Sequence, residues 1–402
     1  MAFESGLPLE SAHSLGLNRA IFYAAAKRGF NGGGTGSGSG GGGRHPIPHV
    51  ISDRTTTRLL TPHLSENNSI MPGFRISIDL GEGYNDPLQF IECVQLAESY
   101  GFETVWLGDH FIPWVHSQNK SAFVWSVMPV CLDRTDKVKV GPDVTVPIGG
   151  RFHPAIIAQA AATIDNIYPG RLLLGVGSGE AMNEQRFMPN GFPKWQERIE
   201  RLAEATELIR RLWSSEEYFD FHGKYFKMDQ VFLYTKPKST IPIYFSAIGV
   251  KAAGYAGQYG DNLVTVGNSA KECRDTIFPA FEAGARKSGR DPSKMGKMAT
   301  FEVYLMDEES GVKRMRETGE AGVCRKEAFG EQDPRKIAEM AREVSDEDII
   351  KSYCFATSPD QVIERVEQYR RAGATSVNIC THSFPEKIRY MGEKVLPHFR
   401  GE

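Results

Sequence analysis

Phe74-Arg-Ile-Ser-Ile-Asp-Leu80, Pro87-Leu-Gln-Phe-Ile-Glu-Cys-Val-Gln-Leu-Ala-Glu-Ser-Tyr-Gly101 and Thr104-Val-Trp-Leu107 follow one another in close succession. In the first stretch Phe74, Ile76, Ile78 and Leu80 alternate, the period of a strand with one buried face. In the second, Phe90, Ile91, Val94, Leu96 and Ala97 recur at helical spacing. Pro87 stands where a helix accepts proline and Gly101 where one ends. The third is a short apolar strand. A strand, a full helix and a second strand imply a crossover connection and hence parallel strands.

The same unit repeats outward from this stretch. Further strands are expected at Val138–Val146, Arg171–Val176, Ile241–Ser246, Asn262–Val266, Phe301–Met306 and Ser376–Cys380. Gly141-Pro142 interrupts the third and suggests a bulge. Helices are expected from Pro154, over Trp195–Trp213 and over Lys387–Val395, and a small hairpin over Tyr218–Met228 turning at His222-Gly223. Eight strands alternating with helices predict an α/β fold of the closed (β/α)8 TIM-barrel type. Glu308–Ile350 is too long for a plain connection and reads as an insertion.

The barrel is expected over residues 71–402. Residues 1–70 read as a disordered N-terminal extension, because Gly32–Gly43 is Gly and Ser apart from Thr35 and cannot bury apolar surface. Leu15–Phe30, with Arg19, Lys27 and Arg28, has the look of a targeting peptide, against which Glu4 and Glu10 count.

A net charge of -3 gives no electrostatic basis for binding nucleic acid or an anionic membrane surface. No apolar run approaches the roughly 20 residues of a membrane helix. The six cysteines form no CxxC and no zinc-like spacing with histidine. Buried thiols in a reducing, cytoplasmic compartment are the expectation. No metal site is expected, and no GxSxG elbow occurs.

Barrel chemistry sits at the C-terminal ends of the strands, so the residues that follow each strand matter most. After the second strand stands Asp109-His110, with Trp114 close by. A histidine there can exchange a proton with a substrate hydroxyl near neutrality; loop capping is the equal alternative. After the fourth strand comes Gly175-Val-Gly-Ser-Gly-Glu-Ala-Met-Asn-Glu184, which lets a flat ring or phosphate approach the backbone. It lacks the third glycine of a dinucleotide fingerprint. Glu180 and Asn183, at helical spacing, are able to face one ligand, or else simply begin a helix. The bulge at Asp143-Val144 suits support of a planar ring, although a structural bend explains it too. Ala247 and Gly249 lie in a turn able to offer N–H groups to an anion. Glu82, after the first strand, is placed to partner His110 or to stay a surface carboxylate. His116 and His153 receive no role.

Together Asp109-His-Phe-Ile-Pro-Trp114, Arg151-Phe-His-Pro-Ala-Ile-Ile-Ala-Gln159, Tyr168-Pro-Gly-Arg171, Gly177–Glu184, Phe232-Leu-Tyr-Thr-Lys-Pro237 and Pro242-Ile-Tyr-Phe-Ser246 resemble the bacterial luciferase-like superfamily. Within it they look most like the coenzyme F420-dependent alcohol and glucose-6-phosphate dehydrogenases. The resemblance implies hydride transfer between a CH–OH carbon and the deazaflavin, with His110 as base, helped by Trp114 and Glu82, and Glu180 as second acid/base group. It implies a non-prolyl cis peptide at the Asp143–Val144 bulge beneath the ring. Asp109, Ser178, Gly179, Asn183, Ala247 and Gly249 would hold ring and tail, and the enzyme would be a homodimer. The positions aligned with the lysine and arginine that grip a sugar phosphate hold Asn268 and Ser352, with Lys351 adjacent, which favours an uncharged alcohol. An FMN-dependent monooxygenase, a methylenetetrahydromethanopterin-reductase-like enzyme and a silent flavin-binding protein remain open on the same barrel.

Overall fold

The computed structural model describes residues 74–81 and 86–400, so the extension expected over 1–70 lies outside the described residues. Its strands and leading helices run β1 (Arg75–Asp79), α1 (Pro87–Ser99), β2 (Thr104–Leu107), α2 (Val124–Asp133), β3 (Lys139–Pro142), α3 (Pro154–Ile167), β4 (Leu174–Val176), α4 (Ala181–Glu184) and α5 (Trp195–Ser214). There follow β5 (Phe219–His222), β6 (Lys227–Val231), β7 (Ile243–Ser246), α6 (Val250–Tyr259), β8 (Asn262–Val266), β9 (Lys297–Tyr304), β10 (Cys354–Phe355) and β11 (Ser376–Cys380).

Eight of these strands pair in parallel in the order β3-β2-β1-β11-β9-β8-β7-β4. The ring closes through single bridges between Val140 and Leu172 and between Thr145 and Val176. This is the expected TIM barrel, wound in sequence order. β5 and β6 form the expected antiparallel hairpin outside it, and β10 adds to β9.

Local signals set the element starts. Asp86 caps α1 by accepting from Leu88 N–H, with Pro87 in the first turn. His153, given no role from sequence, caps α3 through Nδ1, which accepts from Ala155 N–H. Burial lowers the pKa of His153, which keeps the ring a neutral acceptor.

Barrel strands bury both faces. The outward set, Val105, Leu107, Val140 and Ile78 among others, joins the large core beneath the helices. Trp106, Leu173, Val264 and Met298 form a separate cluster with Val144 and Tyr244, contributed by alternate positions on different strands. A polar ladder runs beside it. Ser77 donates to Asn378 Oδ1 at 3.0 Å, and Asn378 Nδ2 donates to Asp143 at 3.2 Å.

Several strand boundaries differ from expectation, among them those of β9 and β3. The strand expected at Phe301–Met306 begins at Lys297, because its first half alternates Met298 and Thr300 with Ala299 instead of carrying an apolar run. The third ends at Pro142, where the chain enters a cis Asp143–Val144 peptide. The insertion consists of helices Glu308–Thr318, Pro334–Met340 and Asp346–Ser352 with short turns between them. It has its own small core of Val312, Met315, Ile349, Tyr353 and Phe355, seated on Tyr304 of β9.

Candidate active site at the strand C-termini

Three neighbouring strand ends bring the expected groups together. β2 leads into Asp109 and His110, β3 into the Asp143–Val144 bulge, and β4 through Gly177-Ser-Gly179 to Glu180. Glycine is required in this last turn. A Cβ at Gly177 would overlap the Val144 side chain, and Gly179 has φ +77° with Val146 2.8 Å from where a Cβ would stand. Val144 therefore lies directly against a backbone stripped of side chains, and Ser178 stays half-buried beside it.

His110 is half-buried, 5.4 Å from the Trp114 ring. Its ring contacts with the described residues fall on Nδ1, where Ile112 O and Asn183 Nδ2 each lie 3.1 Å away; a protonated Nδ1 donates to Ile112 O and an unprotonated one accepts from Asn183. Asn183 is buried, and its Oδ1 accepts from Phe111 N–H at 2.9 Å and Ile112 N–H at 3.2 Å. Its Nδ2 also reaches Glu180 Oε2 at 3.4 Å. Asn183 thus places its amide on the His110 loop.

Asp109 is likewise committed inward. Its carboxylate pairs with Arg151 Nη2 at 2.5 Å and accepts from Thr145 Oγ1 at 2.5 Å. Thr145 in turn accepts from the Trp125 indole at 2.8 Å. Arg151 also donates to Asp109 O at 3.1 Å, and its own N–H reaches Glu184 Oε2 at 3.0 Å. Burial pushes the Glu184 carboxyl up to about 7; the Arg151 N–H and guanidinium pull it down, Glu180 and Asp109 up. Arg151 and Glu184 had no assigned role, although both stand inside motifs that carried the family resemblance. A lone buried charge has no periodicity to reveal it.

The remaining expected positions are more dispersed. Ala247 is buried at the end of β7, and Gly249 caps α6. Around that rim Ile248, Val250 and Val266 are exposed apolar side chains. Glu82 lies outside the described residues. Among the described residues no cluster of His, Cys, Asp and Glu could hold a metal ion.

The insertion reaches this site. Phe329 packs edge-on against Trp114 at 5.5 Å, and Arg186 donates to Gln332 O at 2.9 Å. A second buried network ties the insertion to the barrel. Tyr304 OH meets Glu302, Glu320 Oε2 at 2.9 Å and His382 Nε2 at 3.2 Å. Lys387 Nζ donates to Val303 O at 3.0 Å and lies over the Tyr304 ring.

The family model described as luciferase-like monooxygenase matches residues 69–376. The chain belongs to the luciferase-like family. The F420-dependent glucose-6-phosphate dehydrogenase of Segniliparus rotundus is 35% identical to it over 290 residues, covering 72% of this chain and 86% of that protein. The enzyme of the same name from Intrasporangium calvum is 31% identical over 322 residues, covering 78% and 96%. A solved F420-dependent secondary alcohol dehydrogenase, in complex with an F420–acetone adduct, is 34% identical. It covers 81% of this chain and 99% of its own, with a TM-score of 0.75. The family match spans the hairpin and the insertion as well as the barrel strands between them.

Proposed function

We propose that this chain is a coenzyme F420-dependent oxidoreductase that moves a hydride between a CH–OH carbon and the deazaflavin. The observation that carries the reading is His110: it stands at the barrel mouth with its bonds gathered on Nδ1, beside Glu180 and next to the glycine-lined bulge. The bulge fits a flat ring, since Val144 is half-buried and its neighbours at Gly175 and Gly177 offer no side chains. Val144, Ser178 and Gly179 would hold the ring, with Asp143 beneath it, and Ala247 and Gly249 would hold the tail.

When bound, the deazaflavin supplies the two-electron acceptor. In the tautomer this reading requires, Nδ1–H donates to Ile112 O and leaves Nε2 basic, so that His110 takes the hydroxyl proton at Nε2. Trp114 and Phe329 wall the carbinol side and exclude water. Glu180, whose Oε2 Asn183 Nδ2 also reaches, would serve as the second acid/base group, with Glu82 as a further candidate.

The substrate is an uncharged alcohol in this reading. Asn268 donates to Ile248 O and Thr265, and Ser352 donates to Asp348 O. Lys351 pairs with Glu347 at 2.7 Å on an exposed face. A phosphate dianion would meet no bidentate cation at these positions. The catalytic unit spans 71–402 behind a Gly/Ser-rich extension. Cys93, Cys131, Cys273, Cys324 and Cys354 form no disulfide among the described residues, in keeping with a reducing cytoplasm, and no described helix is long and apolar enough to cross a membrane. The working form is a homodimer.

The test is a fluorescence titration of the purified chain with F420 and with FMN, followed by a screen of secondary alcohols and glucose 6-phosphate for cofactor reduction. Tight binding of F420 with alcohol-dependent reduction is the expected result. Preference for FMN would overturn the reading in favour of oxygen chemistry.

A further inference from the structure

Two segments that carry the site's proton-handling groups are joined twice. Asp109 precedes His110, and Glu184 ends the helix that Glu180 begins. Asn183 joins these segments through the N–H groups of Phe111 and Ile112 and its contact with His110 Nδ1. Arg151 joins the same two through other atoms. Its guanidinium contacts both the carboxylate and the carbonyl of Asp109, and its backbone N–H binds Glu184. Thr145, one residue past the bulge, binds the other Asp109 oxygen. Bulge, histidine loop and Glu180 helix thus meet at one buried junction. The space is filled: a Cβ at Gly150 would stand 2.5 Å from Glu184 Oε2.

We propose that Arg151 is a positioning residue for proton transfer, a buried strut that fixes where His110 and Glu180 stand relative to each other and to the bulge, with Glu184 as its second anchor. The proposal rests on the oxidoreductase reading for the reaction it serves. Both Asp109 contacts come from one nitrogen, Nη2, and the planar guanidinium fixes the directions of its two N–H bonds, which a freely rotating lysine ammonium does not. Arg151 Nε and Glu184 Oε1 are buried without a hydrogen-bond partner among the described residues, so the junction is held by geometry more than by full polar satisfaction. The groups facing Glu184 are Arg151, Glu180 and Asp109, and its raised carboxyl pKa, about 7, brings its charge into play in the working pH range.

The experiment compares the full-length wild type with Arg151→Gln, Arg151→Lys and Glu184→Gln, reading F420 affinity, KM, kcat against pH, and melting temperature. Displacement of a proton-transfer group by about 1 Å costs on the order of 100-fold, so Arg151→Gln should lose about that in kcat while KM and F420 affinity hold within about 3-fold. Arg151→Lys should recover part of the loss. Glu184→Gln keeps an acceptor for the Arg151 N–H, and its pH–rate profile should lose an inflection near neutrality. A folded Arg151→Gln protein with wild-type kcat and pH profile would overturn the proposal. If that variant does not fold, unchanged kcat and pH profile in both other variants overturn it. Should the wild type bind no F420, the functional reading fails separately. The strut is then read from the His110 imidazole titration by NMR in the free protein, which Arg151→Lys must shift for the proposal to stand.

Discussion

Two buried charge networks occupy the same end of the barrel and are built from opposite kinds of contact. The first, around Arg151, draws on consecutive βα loops, and its members adjoin site groups in sequence: Asp109 beside His110, Glu184 beside Asn183 and Thr145 beside Val144. The second, around Tyr304, joins β9, the insertion and the segment after β11. Charges woven into the loops that carry the reacting groups can set the geometry of a reacting centre. Charges that tie an insertion to the barrel hold that insertion in place. The first network should therefore govern rate and the second the docking of the insertion.

The widest separation comes from removing the group that the first network aims. His110→Ala should lower kcat by about 10³-fold, within the range for loss of general base catalysis, while F420 affinity measured by fluorescence stays at the wild-type value. A comparable loss of cofactor affinity would show that His110 binds more than it reacts. Next is the pH dependence of Glu184. Burial raises its folded carboxyl from 4.5 to about 7. The folded state then holds a proton that the unfolded state releases, so stability falls as pH rises from about 4.5 to about 7 and levels beyond. At 1.36 kcal/mol per unit this is up to about 3 kcal/mol, and Glu184→Gln should abolish it, gaining on wild type in melting temperature at pH 8 relative to pH 5.

The contrast between the networks also explains what the sequence could and could not disclose. Barrel strands and helices follow periodic rules, so eight alternating units were readable from residues such as Ile76, Ile78 and Leu80, and the glycines of Gly177-Ser-Gly179 marked a close backbone approach, which Val144 and Val146 fill. Placement of His110, Glu180 and Trp114 at one mouth followed from position after the strands. Arg151 and Glu184 were not readable as a pair, because a contact between two loops leaves no period. Asn183 was legible as a site residue near Glu180 from its spacing, but only coordinates show its amide turned to Phe111, Ile112 and His110. The bounds of the insertion were visible as an overlong connection, whereas the packing of Phe329 on Trp114 was not. β9 started early because Lys297 and Thr300 break the apolar run that marks its second half.

Tyr304→Phe probes the second network with a smaller effect. The hydroxyl donates among two carboxylates and a histidine, and burial with Glu302 and Glu320 nearby holds it well above the usual tyrosine range, so it remains a donor throughout the accessible pH. Loss of a hydrogen bond to a charged acceptor costs about 2 kcal/mol. The variant should melt earlier and be cut faster by protease within residues 319–345, while kcat stays within about 3-fold of wild type if docking and rate are separable. A fall in kcat as large as that of Arg151→Gln would erase the distinction between the networks.

Lys351→Ala should change least, and that small effect bears on the substrate. The ammonium is 67% exposed and its partner Glu347 is 77% exposed on the same helix. Exposed pairs of this spacing contribute about 0.5 kcal/mol or less. If the site takes an uncharged alcohol, the variant keeps its activity on that alcohol and its melting temperature, and glucose 6-phosphate stays as poor a substrate as it is for the wild type. If instead Lys351 leaves Glu347 to meet a phosphate, the variant loses turnover of glucose 6-phosphate selectively, with KM rising and the alcohol reaction untouched. Steady-state kinetics on the two substrates therefore decides whether cations outside both buried networks take part in recognition, or whether the apolar wall of Trp114 and Phe329 is what the substrate meets.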